Sequence, residues 1–471
     1  MKHEMFTNTI KNILSVSKKF ICILSLMSLF SSITSGQGEM SKWYFGWQNG
    51  LDLSTSPPTL LAGNPYAMGE PSATISDSLG NLLLYTYNGK IIFNANHDTI
   101  VNGAGLYGAS SSHQGALFLP SICNENEYYF FTTSSEEQPP HRGFNYSKIE
   151  FSDATGFYVS EKNINLLPDA LEAFTAIKHD NNVDIWIIAH GFDNAYYSFL
   201  LTEDGIDTTA VISSGFQIPS YRYTSVAVNL PGDTIVYHST ALDYFEFLHF
   251  DRLTGTTSLI WNDSTHWNDA VFSPSGRFLY TVDPYINSGI FQYDLSLGNI
   301  TDILNDRVHF PGPFYSGIQH GLDGKIYALK ILGSVGYFSA INNPNQYGLA
   351  CNIVAAVTPT WNISMFQALP NIPHWYLLDN YWVDYPNCHE SIQTYNCINN
   401  ACIDPQDGSG LYDSLATCQA ACNATAIEEN EAEKQLLKIT DVLGRESKPA
   451  PNVPLFYRYD DGTVEKRIVV E

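Results

Sequence analysis

A strand–turn–strand pattern recurs six times between Trp43 and Tyr381, and it constrains the fold more than any other feature of this sequence. In each copy an apolar strand leads into a turn rich in Gly, Asn, Pro or Asp, and a second apolar strand follows. The turns lie near residues 77, 123, 181, 232, 275 and 323, so the spacings are 46, 58, 51, 43 and 48 residues. This period is typical of β-propeller blades, which are four-stranded sheets that pack against their neighbours.

The ends of the repeat region provide the means to close the ring. We expect residues 361–378 and a first strand over residues 43–53 to share a seventh blade. The sequence therefore predicts an all-β fold with a seven-bladed β-propeller, followed by a small disulfide module and a short β-stranded tail. Six or eight blades remain open, because the closing blade is inferred from length. The 29 Tyr and 26 Phe agree with a strand-rich core.

The first 36 residues read as a signal peptide. Four lysines precede an apolar stretch from Phe20 to Phe30, and a small polar run follows, with cleavage expected near residues 35–37. Eleven apolar residues are too few to span a bilayer as a helix, so no transmembrane span is expected after cleavage. The mature chain should be exported to a compartment that permits disulfides.

The charge distribution excludes one class of partner. The formal net charge is −25, and residues 37–425 contain only twelve of the 23 Lys and Arg residues. Proteins that bind DNA or RNA need clustered cations to displace phosphate counterions. We therefore expect no nucleic-acid partner.

A cysteine-rich module is expected over residues 386–425, after a propeller over residues 37–385. Cys418 and Cys422 lie one turn apart on a short predicted helix, residues 415–422, with Ser414 as its N-cap. A direct bond between them would be strained, so each should bridge to Cys397 or Cys402, and two pairings remain open. Zinc is the competing interpretation, but an exported chain favours disulfides, and no metal is predicted. Cys123, Cys351 and Cys388 have no assigned partner.

The last 46 residues differ in composition from the propeller. An acidic linker is expected over residues 426–435 and a small β-unit over residues 436–471. Leu437 to Glu446 reads as a strand and turn, and Leu455 to Val470 as a hairpin with its turn at Asp460 to Gly462.

This tail closely resembles the C-terminal sorting domain, type A-like, of the type IX secretion system. The resemblance implies the secretion machinery as a partner and delivery to the cell surface or the medium. It lacks the opening Asn-Pro segment of the commoner, longer domain, so cleavage with anchoring and simple release both remain open. The matching positions are Asp441, Val442, Leu443, Gly444, Arg445, Glu446, Tyr459, Asp460, Asp461, Gly462, Thr463, Lys466, Arg467, Ile468, Val469 and Val470.

Residues 42–373 resemble the propeller region of large surface proteins of gliding bacteria, a group associated with gliding motility and adhesion. The resemblance implies a scaffold and brings no catalytic residues with it. It rests on Trp43-Tyr-Phe-Gly46 with Gly50-Leu-Asp52, Ile75-Ser-Asp77 with Gly80 to Thr86, Phe272-Ser-Pro274 with Gly276, Asp323-Gly-Lys-Ile-Tyr327, and Leu369-Pro-Asn371.

Polar residues at the innermost strands are the candidate ligand-binding positions. Each falls at or just before a predicted inner strand, where side chains can face the central channel: Glu70, Gln114, Glu172, Asp269 and Gln319. Such a ring can bind a ligand or can simply hydrate the channel. Six of the thirteen histidines also lie on or beside these strands: His113, His179, His190, His238, His266 and His320.

Two functions compete. The first is an exported propeller that acts as a binding or adhesion scaffold for an extracellular glycan or a surface protein, and the sequence favours it. The second is an extracellular propeller hydrolase or lyase acting on a polysaccharide or lactone. Phosphate-loop, metalloprotease and nucleophile-elbow motifs are missing from the sequence, and no cofactor is predicted. An enzyme would instead need an acid and a base that converge in a pocket.

Overall fold

A computed structural model describes most of the chain. The described residues are 38–45, 49–61, 70–134, 141–215, 224–239, 243–264, 267–283, 288–312, 314–332, 335–358, 361–362, 369–377, 395–398, 401–403, 411–412, 414–422 and 435–468. The predicted leader and acidic linker, His266 and the closing Val469 and Val470 lie outside them. No helix among the described residues is long and apolar enough to cross a bilayer. The chain divides into two units, Met1–Cys388 and His389–Glu471.

The first unit is a seven-bladed β-propeller, counted over its described residues. Blades 1 to 3 follow one another along the chain. Blade 1 contains β1 (Lys42–Phe45), β2 (Asn49–Asp52) and β3 (Thr59–Leu61). Blade 2 contains β4 (Ala73–Ser76), β5 (Leu82–Thr86), β6 (Ile91–Asn94) and β7 (Thr99–Ala104). Blade 3 contains β8 (Ala116–Pro120), β9 (Glu127–Thr133), β10 (Phe144–Ser152) and β11 (Gly156–Leu167).

Blades 4 to 7 complete the ring. Blade 4 contains β12 (Ala170–Lys178), β13 (Ile185–Gly191), β14 (Ala195–Thr202), β15 (Gly205–Ile206) and β16 (Val211–Ser214). Blade 5 contains β17 (Thr224–Val228), β18 (Thr234–Ser239), β19 (Tyr244–Asp251) and β20 (Thr256–Ser264). Blade 6 contains β21 (Asp269–Phe272), β22 (Phe278–Asp283), β23 (Gly289–Asp294) and β24 (Val308–Pro311), with helix α1 (Ile300–Asn305) before β24. Blade 7 contains β25 (Tyr315–His320), β26 (Ile326–Leu332), β27 (Val335–Ile341), β28 (Ile353–Val354) and β29 (Trp361–Asn362).

The first strands of the blades form the inner ring. Contacts join β1 to β4 and β4 to β8, and further contacts join β12, β17, β21 and β25 in succession. Each inner strand continues into its antiparallel neighbour through a tight turn. In the turn after β4, for example, Asp77 Oδ1 accepts hydrogen bonds from Leu79 N and Asn81 N. These polar turns explain why the repeat is legible in the sequence.

Blades 2 and 3 share an eight-stranded sheet, because their outer strands pair. Tyr158 of β11 pairs in parallel with Val101 of β7, and Asn102 Nδ2 donates to Val159 O at 2.9 Å. The inner strands β4 and β8 also touch, so the sheet nearly closes on itself around an apolar core. Phe118 and Phe130 lie in this core, with ring centroids 4.5 Å apart.

Blade 1 packs between the last blade and blade 2. The rings of Trp43 and Phe45 contact Phe338 of β27, with centroid distances of 6.3 and 5.6 Å. On the other side, Thr74 Oγ1 of β4 donates to Lys42 O at 2.7 Å. These contacts close the ring through the N-terminal strands.

Two details of the expected closing blade are wrong. The segment 43–53 was expected as one strand, but β1 and β2 form an antiparallel hairpin with Trp43 opposite Leu51, because Gly46 and Asn49-Gly50 interrupt the apolar run. Trp361 and Asn362 were expected to share a blade with residues 43–53, but they pair with Val335 and Gly336 of β27, whereas β1, β2 and β3 form a separate sheet.

The second unit contains a disulfide module and a three-stranded sheet. The module comprises β30 (Asn396–Ile398), β31 (Ala401–Ile403) and α2 (Leu415–Cys422). The sheet comprises β32 (Leu436–Thr440), β33 (Pro454–Tyr459) and β34 (Val464–Ile468), in that order. Four short 3-10 helices lie elsewhere in the described chain: Gly38–Met40, Leu295–Leu297, Gly348–Cys351 and His374–Leu377.

Candidate functional site at one end of the propeller channel

Buried polar side chains gather at the end of the channel where the inner strands begin. Because each second strand runs back antiparallel, its last residues lie beside the first residues of the inner strand; Ser225, for example, pairs with His238. The polar groups buried there are Ser72, Thr86, Ser112, His113, Gln114, Thr133, Glu172, His190, Thr224, Ser225, His238, Ser239, Asp269 and Asp283. We call this set of residues the channel end.

Hydrogen bonds across blade boundaries use many of these groups. These hydrogen bonds link neighbouring blades. The bonds are Glu70 N to Ser110 O (2.9 Å), Thr133 Oγ1 to Glu172 O (2.6 Å), Ala173 N to Thr224 Oγ1 (2.9 Å), Asn268 Nδ2 to Ser316 O (2.8 Å) and Ile318 N to Asp269 Oδ2 (3.0 Å).

Gln114 forms hydrogen bonds with a blade that is not its neighbour. Its Oε1 accepts from Val226 N at 2.7 Å and its Nε2 donates to Val226 O at 3.2 Å, which joins blade 3 to blade 5. The residue has φ +51°, a left-handed conformation that is uncommon outside glycine. This backbone conformation directs the side-chain amide toward Val226, so that its two hydrogen bonds link the two blades.

Asn371 fills the middle of the channel. Its Nδ2 donates to Phe174 O (2.9 Å) and Gln114 O (3.3 Å), and its backbone N donates to Ser72 O (3.4 Å). Gln319 Nε2 donates to the neighbouring Pro370 O at 3.2 Å. The segment after blade 7 thus contacts blades 2, 3, 4 and 7 through polar atoms.

The cavity left beside Asn371 is small. It measures about 30 Å³ and is lined by Gln114, Thr175, Val226, Gln319, His320 and Asn371 among others. One or two water molecules need roughly 10–15 Å³ each, whereas sites for small organic ligands measure roughly 300–1,000 Å³. Burial lowers the pKa of His320 to about 4, so this histidine is neutral at physiological pH. The cavity has room for water but not for a sugar ring.

His113 brings carboxylates from different blades together. Its Nε2 lies 3.9 Å from Asp269 Oδ1, and its backbone N donates to Glu172 Oε2 at 3.3 Å. Burial alone would lower the pKa of His113. The carboxylates of Asp269, Glu70 and Glu172 outweigh burial and raise that pKa above its ordinary value.

One of these carboxylates, Asp269, is held by backbone N–H groups from two blades. Asp269 Oδ1 accepts from Ala270 N at 2.9 Å and Asp269 Oδ2 accepts from Ile318 N. Among the described residues, the only three metal-ligating atoms within 4.8 Å of one another belong to Cys402, Cys418 and Cys422, whose sulfurs form disulfides. Several hydrogen bonds of the channel end thus join neighbouring blades.

The candidate positions thus separate into two groups. Gln114 and Gln319 line the cavity, whereas Glu172 and Asp269 belong to the group around His113, toward which Glu70 also contributes charge. His179 lies apart from both, because it occupies the turn after β12, where His179 Nε2 contacts Leu253 O.

A second buried polar cluster joins blades 4 and 5. Tyr196 OH donates to Glu246 Oε2 at 2.6 Å, and Tyr244 OH donates to Glu246 Oε1 at 3.4 Å. Burial and the Glu246 carboxylate raise the pKa of Tyr196 well above its usual value. His190 stacks on Tyr237 in the same cluster.

The four module cysteines form two disulfides, Cys397–Cys422 and Cys402–Cys418. This is one of the two pairings that the sequence left open. Cys351 is buried and free, and Cys123 is disulfide-bonded.

The positions that match a sorting domain occupy the turns and one edge of the three-stranded sheet. Asp441 Oδ1 accepts from Leu443 N and Arg445 N, and these bonds, with the Arg445 guanidinium, lower the pKa of Asp441. Gly444 and Gly462 have φ +78° and +84°. Nine of the remaining described positions are exposed: Val442, Leu443, Glu446, Asp460, Asp461, Thr463, Lys466, Arg467 and Ile468.

Arg467 organises the edge of this sheet. Its NH2 donates to Glu465 Oε2 (2.6 Å) and Tyr459 OH (2.8 Å), and its guanidinium lies over the ring of Tyr457. Asp460 Oδ1 accepts from Gln435 N, which ties the hairpin turn to the start of β32. The matching residues therefore shape a small, largely exposed β-surface.

Sequence reasoning gave no site role to Asn371. Asn371 is part of the Leu369-Pro-Asn371 motif. The signal that could have identified it is an amide side chain directly after a proline, in the segment that follows the last blade. His113 was visible only as one of several histidines near inner strands, because its carboxylate partners lie on other blades.

No family model matches the chain, and no curated protein matches it either. Solved structures with a similar fold include a candidate 6-phosphogluconolactonase from Bacteroides fragilis. It is 10% identical, with a TM-score of 0.45, over 70% of this chain and 98% of that one. The propeller domain of Cps50 (Swd1) from Myceliophteria thermophila is also 10% identical, with a TM-score of 0.38, over 63% of this chain and 94% of that one. TolB from Acinetobacter baumannii is 10% identical, with a TM-score of 0.35, over 71% and 66%.

These likenesses are too distant to carry a function. The strand order and inner-strand contacts of the chain itself establish the propeller.

Proposed function

We propose that the protein is an exported β-propeller that acts as a binding or adhesion scaffold, with a C-terminal β-unit that serves as a type IX secretion signal. The observation that carries the scaffold is the bonding of polar side chains across the described part of the channel. Its candidate ligand residues bond between blades, and the cavity of about 30 Å³ cannot hold a polysaccharide unit or a lactone. Recognition then takes place on the outer surface, where a glycan or a surface protein is the expected ligand.

The sorting role rests on the resemblance of the tail and on the character of its surface. The matching residues form exposed turns and an exposed strand edge, which a secretion receptor can reach on a folded protein. A leader over residues 1–36 supplies the first step of export in this proposal, and delivery ends at the cell surface or in the medium.

One observation favours the alternative of a hydrolase or lyase. His113 lies among three carboxylates, and convergent acids and bases are what such an enzyme requires. The backbone N–H groups that both oxygens of Asp269 accept weigh against it.

A direct experiment separates the two functions. The purified mature protein is incubated with exopolysaccharide and with the outer-membrane fraction of the producing cells. We expect saturable binding without new sugar ends or opened lactone. Turnover that disappears in Asp269→Asn, with binding retained, would favour the enzyme.

Fractionation tests delivery. The full chain is compared with a chain that ends at residue 435 and with Lys448→Ala, an exposed substitution outside the matching positions. We expect the truncated chain to accumulate in the periplasm and the other two to reach the surface or medium. Normal delivery of the truncated chain would refute the sorting role.

A further inference from the structure

The turn that precedes blade 3 holds His113 rigidly over the channel. A Cβ on Gly115, two positions after His113, would lie 2.3 Å from Ser112 Cβ and 2.8 Å from Thr133 Oγ1, so the backbone is packed tightly there. Gln114, between His113 and Gly115, is fixed by its two bonds to Val226. The imidazole therefore has little freedom to turn toward solvent, and it is 8% exposed.

The partner of this imidazole lies on the opposite side of the ring. Asp269 begins β21 in blade 6, three blades away from blade 3, and its Oδ1 is 3.9 Å from His113 Nε2. No atom of the described residues makes a hydrogen bond to His113 Nε2. His113 and Asp269 thus face each other across the channel end at ion-pair distance, without a hydrogen bond at His113 Nε2.

Among the described residues, the titratable groups that act on the pKa of His113 are acidic. Glu70 approaches from the segment before β4, Glu172 from β12 and Asp269 from β21. Negative charges from three blades surround one buried imidazole. A proton on that imidazole supplies the only positive charge that these four side chains can carry.

We propose that His113 is a proton-controlled cross-link of the propeller: the protonated imidazole ties blade 3 to Asp269 of blade 6 across the channel, and loss of the proton releases this tie. A neutral imidazole leaves the Asp269 carboxylate without this ion pair in a desolvated place. The channel end then loosens while the outer strands keep their pairing.

A bound metal ion is the alternative explanation, and the geometry disfavours it. Among the described residues, no three ligand atoms of this cluster lie within 4.8 Å of one another. Both oxygens of Asp269 already accept backbone N–H groups. The arrangement of these side chains therefore favours a proton on His113 over a bound metal ion.

The direction of the pH effect follows from the raised pKa of His113. A group that binds its proton more tightly in the folded state stabilises that state below its ordinary pKa of 6.5. The contribution is lost as the pH rises through the higher, folded-state value. The cross-link is therefore closed in mildly acidic conditions and opens in alkaline ones.

Thermal unfolding of the full chain across about pH 5 to 9 tests the proposal. His113→Gln and Asp269→Asn are compared with His249→Gln, which replaces an exposed histidine on β19. We expect His113→Gln to lower the melting temperature by a few degrees at the acidic end and to match the wild type at the alkaline end. Asp269→Asn should add little to His113→Gln in the double variant at acidic pH, whereas His249→Gln should change nothing.

Two results would overturn the proposal. One is a stability difference for His113→Gln that is the same at every pH. The other is a wild-type melting temperature that rises with added calcium or zinc and falls with a chelator, in a way that His113→Gln abolishes, because the cluster would then hold a metal.

A measurement on the unaltered protein keeps the proposal testable if the variants fail to fold. Exchange of the imidazole C2 hydrogen, followed by mass spectrometry, reports the protonation of each histidine. We expect a midpoint above 6.5 for His113. A midpoint at or below 6.5 would contradict the cross-link.

Discussion

The side chain of Gln114 forms two hydrogen bonds with the backbone of Val226, although 112 positions separate them in the chain and blade 4 lies between their blades. These bonds cross the channel end and join blade 3 to blade 5. Within the described residues, the propeller's own side chains therefore bridge the channel.

Replacing Gln114 by Leu should destabilise the propeller by about 1–3 kcal/mol, because the buried N–H and C=O of Val226 lose their partners. Tryptophan fluorescence during urea unfolding reports on the propeller, since all eight Trp residues precede position 388. Gln319→Leu is the matched control, because it also removes two bonds, but at a partly exposed side chain whose partners, His320 N and Pro370 O, lie in the same blade and in the segment after it. Equal losses for the two variants would show that the cross-channel bonds have no special weight.

Replacing Phe338 by Ala should cost about 3–5 kcal/mol, because its ring is fully buried between Trp43, Phe45 and Tyr327 where the ring closes. Removing residues 43–53 should abolish folding of the whole propeller for the same reason. Leu259→Ala is the control, since Leu259 is half exposed on β20 and should change stability by less than about 0.5 kcal/mol. A truncated chain that unfolds like the wild type would mean that blade 1 is dispensable.

The sequence predicted the features that are local in the chain. Each inner strand and its neighbour are joined by a few turn residues. Residues such as Asp77 and Gly276, which favour turns, therefore predict the positions of these turns from the sequence alone. Helix α2 spans Leu415–Cys422 as expected, because Ser414 Oγ accepts from Thr417 N at its first turn.

The sequence could not predict contacts between distant segments. The pairing of β7 with β11 depends on how two blades lean together, and no residue pattern records that angle. The sequence predicted that Asp269 faces the channel. It could not predict that Asp269 lies near His113, because the two residues belong to different blades. Five polar residues at or just before inner strands were predicted to form a ligand-binding ring. In the structure, side chains such as Gln114 and Asp269 instead form hydrogen bonds with the backbone of other blades.

The cysteine connectivity should be Cys397–Cys422 and Cys402–Cys418, with Cys351 as a free thiol. Cys123 is also disulfide-bonded. The cysteines left to pair with it are Cys22 and Cys388, which lie outside the described residues, and we expect Cys388 because Cys22 belongs to the predicted leader.

Mass mapping of the unreduced, mature protein checks this connectivity. Alkylation before reduction should label Cys351 alone, and only after unfolding, because its thiol is buried. A peptide joining Cys397 to Cys418, or stoichiometric zinc with four free thiols, would contradict the assignment.

Replacing Lys178 by Met should stabilise the protein at neutral pH. Burial, with Arg252 nearby, lowers the pKa of Lys178 to about 8 from 10.5, so its charge destabilises the folded state below pH 8. The gain should be at most about 3 kcal/mol near pH 7 and should disappear above pH 10.5, where the lysine is neutral in both states.

The comparison variant for Lys178→Met is Lys148→Met. Lys148 pairs with Glu127 at 2.9 Å and its pKa is raised, so its removal should not stabilise the protein at neutral pH. Urea unfolding at pH 7 and above pH 10.5 measures both variants. A Lys178→Met chain that is less stable than the wild type at pH 7 would show that the bond from Lys178 Nζ to Asn182 O outweighs the cost of burial.

The turn at Gly462 provides the sharpest test of the sorting surface. Gly462 has φ +84°, and a Cβ there would meet no atom within 4 Å, so a substitution strains the backbone without a clash. Asn tolerates this conformation, whereas a β-branched residue pays roughly 1–2 kcal/mol. Gly462→Val should therefore distort the hairpin between β33 and β34 and reduce the amount that reaches the surface or medium, while Gly462→Asn should be delivered normally. Tryptophan-monitored unfolding should be unchanged in both, because every Trp lies in the propeller unit. Equal delivery of the two variants would show that the shape of this turn is not what the secretion machinery reads, and a lowered propeller stability in Gly462→Val would assign the tail a structural role instead.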